Sequence, residues 1–459
     1  MTLPAQVKQL LESHPQVASV SELAPNPVES IPANRLAEEI GRALDRPIGA
    51  LKLEEIAGGK KKIVVCVSDK TRLFPKNEMI RAVLERLADV DRRNVTFIVA
   101  GGNHPVQTPQ EAGIDDDLAA GYRWISHRSR DKSNAYIGKT QRRLRGFLGR
   151  YVLAEAGRAL RDLPADVFKL FWYPLSGKPS RLKYHLGLHF GGRIGAVAVS
   201  GRPTRVFVNP AVKEADLIIT IGQVKPHYFA GYSGGAKSIL PAVSSFSTIT
   251  SNHCMRPHPA AALGVIRGNP VRLDMEDAAR MAGEVLVFNC VVDGAGRPYR
   301  FVSGDLVHAH RKAARAALQV GGVKARPADL VVTAAGPPVD ASVYQFTKAV
   351  APAVRVVKQK GVILAVGDCA EGIGNRFIVN EIIYKLGFRH RIPRGVDLFL
   401  LSKLPDKAVN TTFFRPIRSV EQGLEYASKK LKRRFSVNLI PRAGPMMPYL
   451  EDENPIDWI

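Results

Sequence analysis

Short runs of consecutive apolar residues recur along the chain, each bounded by polar or glycine-rich turns. They are IVVCVSD (63–69), VTFIVAGG (95–102), DLIITIG (216–222), VLVFNCVVD (285–293), DLVVTAAG (329–336), GVILAVGD (361–368), VDLFLLS (396–402) and FSVNLIP (435–441). Runs this short and this rich in β-branched residues predict strands buried on both faces. Between them lie amphipathic stretches at helical spacing, clearest in NRLAEEIGRALD (34–45) and NEMIRAVLERLADV (77–90). Strands alternating with helices predict an α/β fold: two domains with mostly parallel sheets flanked by helices. Residues 1–60 read as a helical lead-in. A break near 312–328 divides a first domain (1–325) from a second (326–435). The final strand and the Pro-rich tail (436–459) are expected to pack back on the first domain. No internal repeat is present.

Composition narrows the class. The chain has 459 residues and is 45% hydrophobic, enough for two or three cored domains. No apolar run approaches the ~18 residues of a membrane span, and the N-terminus carries no secretory h-region. The cysteines, Cys66, Cys254, Cys290 and Cys369, are scattered without a CxxC pair. That excludes a disulfide framework or zinc cluster and fits a cytoplasmic protein. The net charge of +24 favours acidic partners. One segment stands apart: residues 141–190 read as a basic, aromatic-bearing helical insert. Between 141 and 183 it carries ten Lys or Arg against three acids, Glu155, Asp162 and Asp166. Its apolar stripe is expected to pack on protein rather than on a membrane, with contact between two copies of the chain as the first expectation.

In open α/β sheets, ligands gather beyond the carboxyl ends of the strands. Three polar motifs fall there: SDKTR (68–72), GGNHP (101–105) and QVKPHYFAGYSGGAKS (223–238). The last is not a nucleoside-triphosphate loop, because Ala236 rather than Gly precedes Lys237. Its glycines Gly231, Gly234 and Gly235 permit tight turns and close approach to a ligand. Lys237 then sits in a crowded loop, where burial turns an ammonium into a nucleophilic amine. SNHCMRPHP (251–259) adds His253, whose imidazole suits nickel, copper, zinc or iron. One histidine is not a metal site, so either a structural role or a metal held mainly by another group remains open for it.

The order SDxTR, GNH, PHxFAGxSGGAKxxLP and NH resembles the nickel-dependent lactate racemase family. The resemblance continues through FNCVVDGAGRPYRFVSGDLVHAH (288–310), VYQFTKA (343–349) and VGDCAEGIGN (366–375), most of the chain outside the insert. It implies an active site in the cleft between the two domains and a nickel pincer nucleotide, a pyridinium-3-thioamide-5-thiocarboxylic acid mononucleotide holding Ni. By this resemblance Lys237 tethers the cofactor, with Asp69, Gly234 and Gly235 beside it in a cofactor-binding first domain. His253 completes the metal coordination, and His104 and His227 are the catalytic bases. Arg72, Gln345, Lys348, Tyr344 and Phe229 bind the substrate. The implied partners are a small 2-hydroxy acid and the enzymes that mature the cofactor; no nucleic acid or membrane partner is expected, and a homo-oligomer through the insert is.

Elementary chemistry agrees with that assignment. Racemising a 2-hydroxy acid breaks a weakly acidic C–H bond, and removing hydrogen as hydride avoids a carbanion. The acceptor must be a cofactor, since no side chain takes hydride. The product of that step is a planar 2-keto acid, which can take hydride back on either face. The hydroxyl proton needs a base near neutral pKa on each face, hence two histidines, and a guanidinium suits the carboxylate. Two departures put the substrate in question: Leu73-Phe74 stand between Arg72 and Pro75, where the family has Pro directly after Arg, and the basic insert interrupts the chain. A larger hydroxy acid such as a sugar acid is the alternative substrate. A non-catalytic basic binding protein of the same fold is the alternative function, opposed by the joint presence of Arg72, His104, His227, Lys237 and His253.

Overall fold

Every apolar run read as a strand forms one, and the runs sort into two six-stranded sheets. The computed structural model describes residues 5–141, 203–376 and 378–459, so the 141–190 insert lies outside the described residues apart from Gln141. In order across the first sheet lie Pro298–Asp305, Val285–Val292, Leu217–Gln223, Ile63–Ser68, Val95–Ala100 and Arg123–Ser126. All neighbours are parallel except the hairpin joining the first two strands. The second sheet runs Val17–Glu22, Phe435–Ile440, Ala328–Ala334, Val357–Val366, Asp397–Leu401 and Arg415–Ile417, parallel throughout. Parallel sheets are covered on both faces, which is why Leu217–Gln223 and Ala328–Ala334 are buried at every position instead of alternating.

Two features differ from the sequence reading. The lead-in contains a strand, Val17–Glu22, that belongs to the second sheet. It is an edge strand with one buried residue in six, so it lacks the apolar signal of its neighbours. The last strand, Phe435–Ile440, joins the second sheet, between Val17–Glu22 of the lead-in and Ala328–Ala334. Its polar side chains fix it there. Asn438 Nδ2 donates to the Arg326 carbonyl at 2.8 Å, and Ser436 Oγ donates to Asp329 Oδ2 at 2.8 Å. Only the tail beyond it reaches the other half: Met447–Tyr449 pairs with Gly322–Lys324, and the Ile266 N–H donates to the Trp458 carbonyl at 2.6 Å.

Three apolar layers hold the sheets. One cluster lies outside the first sheet, with Val65, Phe97 and Ile219, and another outside the second, with Val332, Leu364 and Val437. The largest runs between the sheets, from Val64 and Ile218 through Tyr232 and Phe346 to Ile363 and Met447. The two halves therefore share a core, and the cleft between their strand ends has fixed walls. Among the described residues, no helix is long and apolar enough to cross a membrane.

The hairpin edge is tied to the N-terminal segment at Gly304 (φ +136°), which bridges Ile48. A Cβ at this position would fall inside contact distance of the Ile48 backbone. We expect Gly304→Ala to lower unfolding free energy by about 3 kcal/mol. Urea denaturation would measure it, and an unchanged midpoint would show that this edge relaxes freely.

Candidate active site

The first wall of the cleft is built where Ile63–Ser68 ends. Asp69, buried at 4% exposure, accepts the Thr71 N–H (3.1 Å) and hydroxyl (2.6 Å) on Oδ1 and meets His104 Nδ1 through Oδ2. Burial pushes this carboxyl up, but the His104 hydrogen bond and the charges of His104 and Arg72 outweigh it and hold it well below the usual range. Lys76, on the first turn of Lys76–Arg86, secures the loop from behind through the carbonyls of Asp69 (3.1 Å) and Ala112 (2.6 Å). Arg72 Nη1 is oriented by the Thr71 hydroxyl at 2.8 Å. His104 follows Val95–Ala100. Because its Nδ1 donates to Asp69, Nε2 is the basic nitrogen of the neutral ring.

The second wall is the glycine-rich loop after Leu217–Gln223. Phe229, 4% exposed, is its packing centre. Its ring touches the rings of His227 (4.6 Å), Tyr228 (4.6 Å) and His253 (4.9 Å), with Lys237 Nζ at 5.5 Å and the Arg256 guanidinium at 4.2 Å. The loop's carbonyls converge on Arg272, a fully buried guanidinium bonded to Ala230 (3.2 Å), Tyr232 and Gly234 (3.4 Å). His310 Nε2 donates to the Ser233 carbonyl at 2.9 Å, and the Gly235 N–H donates to Asn289 Oδ1 at 3.2 Å. Gly234 and Gly235 have positive φ, and a side chain on either would strike Asn289 or His310. Their close approach is thus to the protein itself, and it lets Lys237 emerge into the cleft.

Lys237 and His227 face each other, Nζ to Nε2, at 3.2 Å. Burial drives the Lys237 ammonium well below its ordinary pKa, reinforced by Arg72, Arg272, Lys348 and Arg256. His227 is driven the same way by burial, then by Lys237 and Lys348. Its Nδ1 accepts the Ala230 N–H at 3.3 Å, which places the neutral ring's proton on Nε2, facing Lys237. His253 ends the helix Phe246–His253. Asn252 Nδ2 donates to the Val271 carbonyl (3.0 Å) and to Asp274 (2.9 Å), so its Oδ1 accepts from His253 Nδ1 at 3.0 Å. That relay leaves His253 Nε2 with a free lone pair, as a metal ligand requires. Among the described residues, no three His, Cys, Asp or Glu side chains gather as a metal cage.

The second sheet contributes the helix Val343–Arg355, capped by Ser342. Lys348 Nζ bonds to Gln345 Oε1 and lines the cleft with Arg72, Lys225 and His227. Tyr344 is fixed through its N–H to the Ile373 carbonyl at 3.1 Å, and burial pushes its phenol up. The structure thus gathers the side chains expected from the sequence, with His104 joined through Asp69 and the two glycines behind the loop. It adds residues that sequence reasoning passed over: Lys76, Lys225, Asn252, Arg256 and Arg272. Lys225, Asn252 and Arg256 lie inside the sequence motifs, but nothing in their spacing marks them. Arg256 is buried, with no hydrogen-bond partner on Nε or Nη1 among the described residues.

Residues 8–156 and 193–264 match the lactate racemase N-terminal domain family, and 323–387 match the lactate racemase C-terminal domain family. The gap at 157–192 overlaps most of the stretch read as an insert, while residues 141–156 of that stretch lie within the match. The chain is 27% identical over 438 residues to the lactate racemase of Thermoanaerobacterium thermosaccharolyticum, covering 88% of each chain. It is 28% identical over 393 residues to that of Lactiplantibacillus plantarum, covering 84% of this chain and 76% of the relative. The solved lactate racemase apoprotein from T. thermosaccharolyticum superposes with a TM-score of 0.72 at 24% identity, over 98% of this chain and 97% of that one. A Thermotoga maritima protein superposes at 0.61 and 16% identity, over 90% and 98%.

Burial holds His227, His253 and His310 neutral, with pKa values well below 6.5. The unfolded chain, with histidines near ~6.5, binds more protons below that pH, so acid favours unfolding. We expect the melting temperature of the cofactor-free protein to fall from pH 7 to pH 5, and His310→Gln to flatten the slope. A melting temperature constant across that window would mean these rings are not held neutral.

Proposed function

The chain belongs to the lactate racemase family, and from that premise we propose that it racemises a 2-hydroxy acid of the lactate class with a nickel pincer nucleotide held by Lys237 and His253. The observation that carries this reading is the pair of nitrogen donors, Lys237 and His253, packed against the Phe229 ring. Burial pushes the Lys237 ammonium toward the free amine that a covalent tether needs. His253 is a neutral imidazole whose Nδ1 is engaged by Asn252 and whose Nε2 is open. A single protein ligand without a cage suits a metal whose other donors belong to a bound group. When bound, that group supplies the hydride acceptor that side chains lack.

The chain's own residues do the rest. Arg72, oriented by Thr71, receives the carboxylate, with Lys348 and Gln345 from the facing helix completing the clamp. His104 takes the hydroxyl proton at Nε2 while Asp69 stabilises the imidazolium that forms. His227 is the second base we assign, its Nε2 facing Lys237 at 3.2 Å. We assign the tether and both bases to residues 1–325, and Gln345 and Lys348 to 326–435. The unpaired, buried cysteines suit a reducing cytoplasm.

A cavity of about 330 Å³ adjoins the cleft, sharing Lys225 and Pro226 and walled in part by Leu73. It favours, as a second reading, a hydroxy acid larger than lactate.

Protein co-produced with the cofactor-building enzymes should carry an adduct on Lys237 by peptide mass mapping and nickel by elemental analysis. His253→Ala should lose nickel while circular dichroism stays unchanged. Full activity with an unmodified Lys237 would sink the proposal. His104→Ala and His227→Ala should each lower turnover in both directions by ~10²–10⁴-fold, and wild-type rates in either would remove the two-base scheme.

A further inference from the structure

Lys225 is the first residue beyond Gln223 and Val224 at the end of its strand, and it lines both the catalytic cleft and the adjoining cavity. Its backbone is fixed, with its N–H donating to Ser233 Oγ at 2.9 Å. Among the described residues its ammonium has no hydrogen-bonding or ion-pair acceptor. Arg72 and Lys348 line the same cleft, so three basic side chains border it. The neighbouring carboxylate, Asp69, is already committed to Thr71 and His104. A monocarboxylate ligand uses Arg72 and Lys348 and leaves Lys225 unanswered. The imbalance shows in Lys225 itself, whose pKa is pushed down to about 7, first by burial and then by Arg72. A buried ammonium without a counter-charge is unfavourable unless a ligand supplies one.

The space for that ligand is present. The adjoining cavity begins at Lys225 and Pro226 and extends past Leu73 toward Arg442, whose guanidinium is anchored on the Gly294 carbonyl at 3.2 Å. A substrate held at one end by Arg72 and Lys348 can continue past Lys225 into it. We propose that Lys225 is a specificity-determining residue that binds a second carboxylate, so that the preferred substrate is a 2-hydroxydicarboxylate rather than a 2-hydroxymonocarboxylate. The proposal rests on the 2-hydroxy-acid reading of the cleft and adds to it the chemical class of the far end.

Calorimetric titration of the nickel-loaded protein with hydroxysuccinate and with lactate tests it. Hydroxysuccinate should bind at least ~10-fold more tightly, in line with a charge-assisted contact worth about 1.5–3 kcal/mol. Lys225→Met should erase that preference, lowering hydroxysuccinate affinity far more than lactate affinity, and Lys225→Arg should restore much of it. Equal affinity for the two acids in the wild type, or a preference that survives Lys225→Met, would overturn the proposal. Chiral chromatography separates this outcome from the racemase reading. Lys225-dependent hydroxysuccinate binding without interconversion of enantiomers would uphold the subsite and reject the reaction. Racemisation of lactate with no Lys225-dependent preference would do the reverse.

Discussion

Positive charge buried with too little negative charge to answer it is the constraint on which this site depends. Arg72, Lys225, Lys237, Arg256 and Lys348 converge on a region whose nearby carboxylate, Asp69, is already bonded to Thr71 and His104. Desolvation and mutual repulsion act in the same direction on Lys225, Lys237 and Lys348 and on His227, and each is pushed toward its neutral form. The outcome is an amine able to form a bond and imidazoles able to take a proton, at a pH where such groups on a surface would be largely charged or only half neutral. The same field attracts anions, which is what a site for carboxylates requires.

Such a field destabilises the fold unless the backbone around it is held. Arg272 does this for the glycine-rich loop by bonding three of its carbonyls, and its own charge is eased by Glu276 one turn along its helix. Lys76 does the same for the Asp69 loop. In both cases a cation binds carbonyl oxygens instead of a carboxylate, so the loop is fixed without adding negative charge that would neutralise the cleft. Phe229 supplies the apolar floor on which His227, His253, Lys237 and Arg256 rest.

Placement of the cleft follows from topology. Parallel strands present their carboxyl ends on one side, so loops after Ser68, Ala100 and Gln223 meet without long excursions. The helix Val343–Arg355 closes the opposite wall because the two sheets share one apolar layer. Membership of the lactate racemase family accounts for the common frame, while Leu73, on the wall of the adjoining cavity, is where this chain departs from the family spacing after Arg72.

The sequence by itself determined the strands and marked the candidate site residues. Strands buried on both faces must be continuous apolar runs, and the tether, ligand and two bases that we propose, Lys237, His253, His104 and His227, stand in recognisable motifs. It did not reveal Val17–Glu22, because an edge strand needs little apolar surface, nor the sheet that Phe435–Ile440 would join, because register and partner depend on contacts such as Asn438 to Arg326. Gly234 and Gly235 were legible as turn residues, but that they make room for Asn289 and His310 depends on elements far along the chain. Lys225, Arg256 and Arg272 look like ordinary basic residues in a chain of net charge +24. Only the tertiary structure separates them from the surface ones, because burial and the distance to the nearest counter-charge, which decide what a cation does, are properties of the folded chain.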